Sequence, residues 1–376
     1  MREGAHSLYD EMVVGMENKE LNSSQVFSLL RFPLAIFVVM SHLLVGMGIV
    51  PFSHFMNAYI CEQSVPIYFF ISGYFFFYNV GFDKNIYIHK LRNRINTLLI
   101  PYLIWNTIAI IVLIAYNYFL KYVFPYAAQE FYFSFTNILN CYGYYNHLLV
   151  GETPIYSMYP INFPLWFLRN LIIVVLCSPI VYKLLNKPKR VILLLGVCWM
   201  MLRQWHQESI FCEVFYQFAL AFFFFSWGGY YSIYKIDMSN VFTKHSRLSI
   251  FLYIIIGLLS IASIYVYPQS TLAIKGANMI IGVTFAYNIS DWLVRKRSCR
   301  ANTTFASAGF FIYVTHMIFW RPVATLVCGI IHPHTEFMMR VGVVLTMLVL
   351  IGLLLGCFYL MRRYTPRLLS VLIGRK

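Results

Sequence analysis

Charged residues are scarce in this chain. Of its 376 residues, 11% are Asp, Glu, Lys or Arg, against about 25% in soluble domains. Hydrophobic residues make up 60%, aromatic residues 19%, and the mean hydropathy is +0.67. This composition excludes a soluble globular domain and instead predicts a polytopic membrane protein.

Signatures of several other protein classes are also missing. The eight cysteines contain no CxxC pair, and His332 and His334 have no third partner nearby in the sequence, so neither a disulfide framework nor a metal site is indicated. Residues 1–24 are polar and acidic and lack the apolar region and cleavage site of a secretory signal, so we expect no cleaved signal. The net charge of +15 does not indicate nucleic-acid binding, because the basic residues are spread between the apolar runs.

Ten apolar runs organise the chain. They cover roughly residues 25–48, 62–80, 97–120, 164–182, 190–203, 211–234, 248–267, 272–293, 304–328 and 338–361. With the N-terminus in the cytoplasm, 22 of the 29 Lys and Arg residues fall in segments that would lie inside. The sequence therefore predicts an all-α polytopic membrane protein with about ten transmembrane helices and both termini cytoplasmic. Its predicted divisions are a polar cytoplasmic N-terminal segment (1–24), a membrane domain (25–361) and a basic cytoplasmic tail (362–376).

The first apolar run contains Arg31 and His42, two side chains that lipid does not accommodate cheaply. Their separation of eleven residues corresponds to three helical turns plus about 20°, so both share a helix face and lie about 16 Å apart along its axis. Arg31 alone could reach the lipid headgroups, and His42 alone could be a packing residue. Together on one face they indicate a functional site that faces protein or water.

A basic cluster, Lys90, Arg92 and Arg94, precedes the third run. Lys90 and Arg94 are four residues apart and share a helix face, whereas Arg92 points away by about 200°. Topology alone would place basic residues at this cytoplasmic mouth. The functional alternative is a phosphate clamp, because a cationic cleft suits a polyphosphate. Pro101, at the start of the run, is expected to break or kink the helix.

Three further motifs place small or polar residues inside apolar runs. Ser72 and Gly73 form a small pair in an aromatic helix, where a neighbouring helix or a ligand could approach the backbone closely. Trp166 and Arg169 open the fourth run; Trp is typical of a membrane interface, but Arg169 lies a full turn deeper. His316 is a second histidine inside an apolar run.

The longest loop, residues 121–163, lies outside by this count and is rich in Tyr, Phe and Asn. Its aromatic residues fit either an interfacial belt or a platform for sugar rings. It is too small for a second globular domain, and the chain shows no internal repeat. A single integral domain is therefore predicted.

The motifs follow one another in a distinctive order: Arg31-x10-His42, FFISGY, the basic cluster before LLIPYLIW, PLWFLRNL and FFIYVTHMIF. In this order and at these intervals they resemble the acyltransferase 3 family of integral membrane acyltransferases, over roughly residues 25–361. The strongest element is the Arg-x10-His run. The resemblance implies a ten-helix core that moves an acyl group, commonly acetyl, from cytoplasmic acyl-CoA to a sugar hydroxyl or similar acceptor, often in a bacterial inner membrane.

The resemblance also implies residue roles. His42 matches the family's proposed catalytic histidine and Arg31 its partner, while the basic cluster matches a motif on the donor side. That motif is usually a tighter arginine pair, and Asn170 stands where an acid often follows the arginine of the WFLR segment. Acyl-CoA would be a co-substrate, and no permanently bound cofactor is implied. The implied partners are acyl-CoA, a carbohydrate or other hydroxyl acceptor, and the lipid bilayer.

Two other functions compete with this one. A secondary transporter could use Arg31, His42 and His316 as a proton or anion relay, although the chain lacks the paired interrupted runs of inverted-repeat transporters. A non-enzymatic membrane scaffold would leave Arg31 and His42 unexplained. In an acyltransferase, His42 could act as a general base on the acceptor hydroxyl, or it could become acylated and pass the group on.

Overall fold

The computed structural model describes residues 23–44, 55–78, 83–123, 129–131, 133–143, 146–150, 153–205, 210–266 and 271–375. Nearly all of them are helical, and the all-α membrane class predicted from composition is confirmed. The elements are, in chain order, α1 (Ser23–Leu44), a π-helical turn (Met56–Cys61), α2 (Ser64–Phe77), α3 (Lys84–Arg94), a second π turn (Ile95–Leu99), α4 (Ile100–Val123), β1 (Gln129–Phe131), α5 (Phe135–Asn140), β2 (Asn146–Val150), β3 (Thr153–Ser157), a 3-10 turn (Phe163–Leu165), α6 (Trp166–Leu176), α7 (Ser178–Leu184), α8 (Pro188–Trp205), α9 (Ile210–Ile233), α10 (Met238–Lys244), α11 (Ser246–Val266), α12 (Thr271–Lys296), α13 (Thr303–Ile331), α14 (Glu336–Tyr364) and α15 (Pro366–Leu372).

The apolar runs coincide with helices throughout the described residues. Helices α6 and α7, bent by 62°, would together make one span, and Pro179 in the first turn of α7 explains the bend because it has no N–H to continue the helix. The count of ten spans and the cytoplasmic position of both termini stay predictions. Five further described helices are long and apolar enough to cross a membrane: Ser23–Leu44, Lys84–Ala115, Ser246–Ser263, Thr303–Ile331 and Glu336–Tyr364.

The third run begins with an irregular turn. The π turn Ile95–Leu99 joins α3 to α4, and Pro101 lies in the first turn of α4. Pro101 cannot donate to the carbonyl of Thr97, its partner in a continuous α-helix. The irregularity expected at Pro101 therefore takes the form of a π turn immediately before it, while the helix continues in one piece.

A small antiparallel sheet lies within the long loop between α4 and the 3-10 turn. Its strand order is β1-β2-β3, with Phe131 paired to Leu148 and Leu148 in turn paired to Ile155. No strand was predicted in this loop, because each of the three is only three to five residues long and none shows a clear alternating pattern. Most of the side chains on which the belt and the sugar platform were predicted lie outside the described residues.

Helix α2 packs against α9 through a pair of glycines. A methyl group at Gly73 would lie 1.9 Å from the carbonyl oxygen of Phe225, and one at Gly228 would lie 1.9 Å from that of Phe70. Only glycine permits such contact between the two backbones. Gly73 therefore serves close helix packing, and α2 is fixed at the centre of the bundle with its neighbour Ser72 turned towards a cavity.

The segment after α14 folds back onto the bundle. α15 packs against α4, where the Trp105 indole donates a hydrogen bond to the carbonyl of Leu372 (2.9 Å). Leu369 and Leu372 are buried in this contact. Most of the region predicted as a basic tail is therefore ordered against the membrane domain.

Candidate active site

Helix α1 carries Arg31 and His42 to two adjoining cavities. The first, which we call the arginine cleft, has a volume of about 290 Å³ and contains Arg31, Arg94 and Arg375 in its lining. The second, the histidine chamber, has a volume of about 540 Å³ and contains His42. One helix face thus supplies a side chain to each cavity, as the eleven-residue spacing predicts. The two cavities share three lining residues, Val38, Val65 and Tyr313.

The arginine cleft is cationic. No Asp or Glu is found among its described lining residues, which include the guanidinium groups of Arg31, Arg94 and Arg375. Arg31 lies with its guanidinium 5.6 Å from the centre of the Phe75 ring, and its backbone carbonyl accepts a hydrogen bond from the Tyr68 hydroxyl. Three guanidinium groups in one cleft repel one another, so the arrangement favours an anionic ligand.

Of the three residues in the basic cluster predicted at the donor side, only one lines the arginine cleft. Arg94 lines the arginine cleft. Lys90 lies 5.2 Å from the centre of the Phe76 ring and donates to the Phe76 carbonyl, in the last turn of α2. Arg92 is exposed and is not among the residues lining the cleft. The helical rotation that separates Arg92 from its neighbours accounts for this difference.

Ser72, like Tyr68, is a residue of α2 with a hydroxyl group in the lining of this cleft. It lines the arginine cleft beside Phe75, one residue from the glycine that holds α2 against α9. The two members of the predicted small pair thus face different partners. Ser72 borders the cleft, whereas Gly73 packs against α9.

His42 lines the histidine chamber, and the buried His316 packs next to it. Their ring centres are 5.3 Å apart, and the ring of Phe163 packs edge-on against His42 at 5.3 Å. The Nδ1 atom of the buried His316 lies 3.1 Å from the carbonyl of Ile312 and 2.9 Å from that of Tyr313, so it must carry the proton in the neutral ring. Its Nε2 atom is then an acceptor and has no hydrogen-bond partner in the described part of the chain. His316 therefore offers a lone pair next to His42.

Arg169 lies deep in the bundle rather than at its surface. It is buried, and it donates to the carbonyl of Gly143 (2.6 Å) and to Oε1 of Gln217 (2.7 Å). Gln217 in turn donates to Oε1 of Glu213 (2.8 Å). Asn170 stands where family members often have an acidic residue, and its Nδ2 atom lies 3.4 Å from the same Gln217 oxygen. Arg169 thus holds a polar network in place beside the chamber.

Glu213 is a chamber residue that the sequence analysis did not identify. It lines the histidine chamber, it is buried, and it accepts a hydrogen bond from the Tyr159 hydroxyl (2.8 Å). Burial and the neighbouring Glu213 carboxylate raise the pKa of Tyr159, so the phenol stays protonated and remains a donor. An acidic residue in the first turn of an apolar run was the available signal, because ionisable groups there are functional candidates.

Aromatic residues form part of the remaining walls of the chamber. The predicted Trp166 is one of six aromatic residues that line it, and Glu62 and Lys275 add charge. No group of three His, Cys, Asp or Glu side chains in the described ranges could hold a metal ion. The chamber lining thus contains the imidazole of His42, the hydrogen-bonding side chains of Glu213 and Gln217, and aromatic rings. The six aromatic residues are Tyr159, Phe163, Trp166, Tyr216, Tyr313 and Trp320.

Comparison with known proteins identifies the family. The family model described as an acyltransferase domain (Acyl_transf_3) matches residues 26–362. The chain belongs to the acyltransferase 3 family. It is therefore an integral membrane O-acyltransferase, as the order of its motifs indicates, and the transporter and scaffold alternatives are set aside.

One relative is informative about biological context. The chain is 24% identical over 332 residues to the succinoglycan biosynthesis protein ExoH of Rhizobium meliloti (strain 1021). The match covers 86% of this chain and 81% of that protein. No solved structure gives a significant match.

Proposed function

We propose that this acyltransferase moves an acetyl group from cytoplasmic acetyl-CoA to a hydroxyl of a cell-envelope carbohydrate. The observation that supports this most is the pair of adjoining cavities along α1, one cationic and one containing His42. A CoA thioester has a polyanionic end and an acyl end joined by a long neutral arm. It needs a cationic site and a reactive site that communicate, and the shared residues Val38, Val65 and Tyr313 lie where such an arm would pass.

The donor would bind with its phosphates in the arginine cleft. Arg31 and Arg94 present planar donor groups, which suit phosphate oxygens better than a single ammonium group does. Ser72 and Thr97 add hydroxyl groups to the lining of the cleft. Arg94 ends the predicted inside segment before the third run, so the positive-inside distribution supports entry from the cytoplasm.

His42 would perform the chemistry. In direct transfer, its free ring nitrogen takes the proton of the acceptor hydroxyl as the oxygen attacks the thioester carbonyl. The carbon–sulfur bond then breaks, and the proton passes from His42 to the CoA thiolate. In the two-step route, a His42 nitrogen attacks the thioester carbonyl and the carbon–sulfur bond breaks, which expels the CoA thiolate. The acceptor oxygen then displaces the imidazole from the acyl group, and the hydroxyl proton passes to the freed nitrogen and from there neutralises the thiolate. His316 would orient the His42 ring in either route, because its Nε2 atom can accept a hydrogen bond from the protonated nitrogen of His42.

The acceptor would bind in the histidine chamber. Sugars present hydroxyl groups at their edges and C–H groups on their faces, and this chamber offers carboxylate and amide partners together with aromatic rings. Glu213 and Gln217 are already held in fixed positions by Arg169. The similarity to a protein named for succinoglycan biosynthesis supports a carbohydrate acceptor. A bacterial inner membrane would put cytoplasmic donor and external acceptor on opposite sides of the same bundle.

A transfer assay tests this function. Membranes that contain the native acceptor are incubated with radiolabelled acetyl-CoA, and the label is followed into glycan. We expect His42→Ala to lower transfer by about 10²–10⁴-fold, because both routes lose their essential nitrogen. His42→Gln should fail equally, since an amide can neither take a proton near neutral pH nor carry the acyl group.

The matched control is His245→Ala, which removes an exposed histidine outside both cavities. It should transfer label at the wild-type rate. Near-normal transfer by a folded His42→Ala variant would refute the mechanism. Label that never enters glycan in the wild type, while acetyl-CoA is consumed, would refute the carbohydrate acceptor.

A further inference from the structure

The last described residues of the chain form part of the arginine cleft. Ile373, Gly374 and Arg375 line it together with Arg31 and Arg94. These three residues follow α15 and lie more than 270 positions from Arg94 in the sequence. The chain therefore closes one wall of the cleft with a segment that the motif order did not include.

The segment is fixed in place by specific contacts. Trp105 donates its indole N–H to the carbonyl of Leu372 (2.9 Å), and the side chains of Leu369, Leu372 and Ile373 are buried. The backbone N–H of Arg375 donates to the carbonyl of Ser370 (2.8 Å). These contacts with α4 and α15 fix the position of the Arg375 backbone.

Gly374 packs directly against the π turn before α4. Its φ angle is +64°, and a methyl group on it would lie 2.5 Å from the carbonyl oxygen of Thr97. That carbonyl belongs to the π turn and is the one that Pro101 leaves without its α-helical donor. Glycine is required here by both conformation and space, and it brings the backbone of the next residue, Arg375, to the edge of the cleft.

Arg375 completes the cationic lining. Its Nη2 atom donates to the carbonyl of Thr303 at 3.3 Å, a long contact that leaves most of the guanidinium donors available, and the side chain is exposed. No carboxylate lies among the described residues that line the cleft. A third arginine in the same lining as Arg31 and Arg94 suits a ligand with more than one phosphate group.

We propose that residues 373–375 form a wall of the donor site and that Arg375 contacts the phosphates of acyl-CoA. This inference rests on the proposed function, because it assigns a further donor-binding residue to the same reaction. It also gives α15 a role: the helix anchors the segment that carries Arg375. Arg375 binds the donor at its anionic end and does not touch the reacting thioester.

Purified protein in detergent and CoA as the probe test the proposal. We expect Arg375→Gln to weaken CoA binding about 10-fold, the loss of one charge-assisted contact, and to raise the KM for acetyl-CoA with little change in kcat. Arg375→Lys should recover part of the affinity, because the charge remains while the planar fork is lost. Gly374→Ala keeps every charge but displaces Arg375 from the Thr97 carbonyl, so it should also weaken binding.

The control is Arg367→Gln, an exposed arginine of α15 that does not line the cleft, and it should bind CoA as the wild type does. Thermal unfolding establishes that each variant is folded. If Arg375→Gln does not fold, Arg375→Lys and Gly374→Ala decide, and wild-type affinity in both contradicts the proposal.

Two failures are distinguishable. Unchanged CoA affinity in Arg375→Gln, with weakened affinity in Arg94→Gln, overturns the role of Arg375 and leaves the proposed function standing. If wild-type protein binds no CoA, the acyl-CoA donor and the role of Arg375 fall together.

Discussion

The two cavities of this acyltransferase lie along the same helix but differ in their chemistry. The arginine cleft holds three guanidinium groups, and no carboxylate is found among its described lining residues. The histidine chamber is larger and is lined by six aromatic residues and the carboxylates of Glu62 and Glu213, with Lys275 its only described Lys or Arg. A phosphate-bearing donor suits the first cavity, and a neutral hydroxyl acceptor suits the second.

The difference suggests how one membrane protein could serve two substrates with little in common. Repulsion between guanidinium groups is relieved when a polyanion binds, so the cleft favours a polyanion over a neutral sugar. Carboxylates in the chamber repel phosphates and accept hydrogen bonds from hydroxyl groups. The neck formed by Val38, Val65 and Tyr313 would admit the donor's neutral arm and acyl group while its charged end stays behind.

The largest effect in the cleft is expected from Arg31. Changing Arg31 to Lys keeps the charge but removes the planar fork, so we expect acetyl transfer (kcat/KM for acetyl-CoA) to fall about 10- to 150-fold, the loss of one charge-assisted hydrogen bond. Steady-state assays at low acetyl-CoA measure this change. Arg247→Lys, at an exposed site outside both cavities, is the control. If Arg31→Lys retained full kcat/KM, Arg31 would serve only as a positive charge near the lipid headgroups and would not bind acetyl-CoA.

A smaller effect separates Arg94 from Arg92. Arg94→Gln should weaken CoA binding about 10-fold, whereas Arg92→Gln, two residues away on the exposed side of α3, should leave it unchanged. Titration calorimetry with CoA provides the comparison. Equal losses in the two variants would mean that net positive charge at the mouth, not the cleft, binds the donor.

The smallest effect is expected in the chamber. Glu213→Gln keeps the size of the side chain but removes its charge, so we expect the KM for the acceptor to rise about 2- to 10-fold, the range of one hydrogen bond, with CoA affinity unchanged. Glu336→Gln is the control, because Glu336 is exposed and pairs with Arg340 outside the chamber. A change in CoA affinity in Glu213→Gln would show that the two cavities are not separate in function.

Local patterns in the sequence predicted which side chains share a helix face, because that depends only on helix geometry. The spacing of Arg31 and His42 placed both on one face, and helical rotation separated Arg92 from Arg94. The family was recognisable from the order of the motifs. The identity of the individual site residues stays a prediction, to be tested by the variants above.

Contacts between distant segments were not predictable in the same way. Arg375 reaches the cleft only because Gly374 packs on Thr97 and Trp105 binds Leu372, contacts that no local pattern encodes. The pairing of Gly73 with Gly228 likewise joins two helices far apart in sequence. The role of a single glycine or carboxylate depends on the residue that it contacts in the fold. A single sequence does not identify that residue.

In the proposed mechanism, the arginine cleft binds the donor and the histidine chamber carries out the transfer. The most direct test measures CoA affinity and acetyl transfer on the same preparations of His42→Ala and Arg94→Gln. We predict that His42→Ala binds CoA with wild-type affinity but transfers acetyl about 10²–10⁴-fold more slowly. We also predict that Arg94→Gln binds CoA weakly but recovers its transfer rate at saturating acetyl-CoA. Weakened CoA binding in His42→Ala, or a low rate in Arg94→Gln that saturating acetyl-CoA does not restore, would contradict this division between the two cavities.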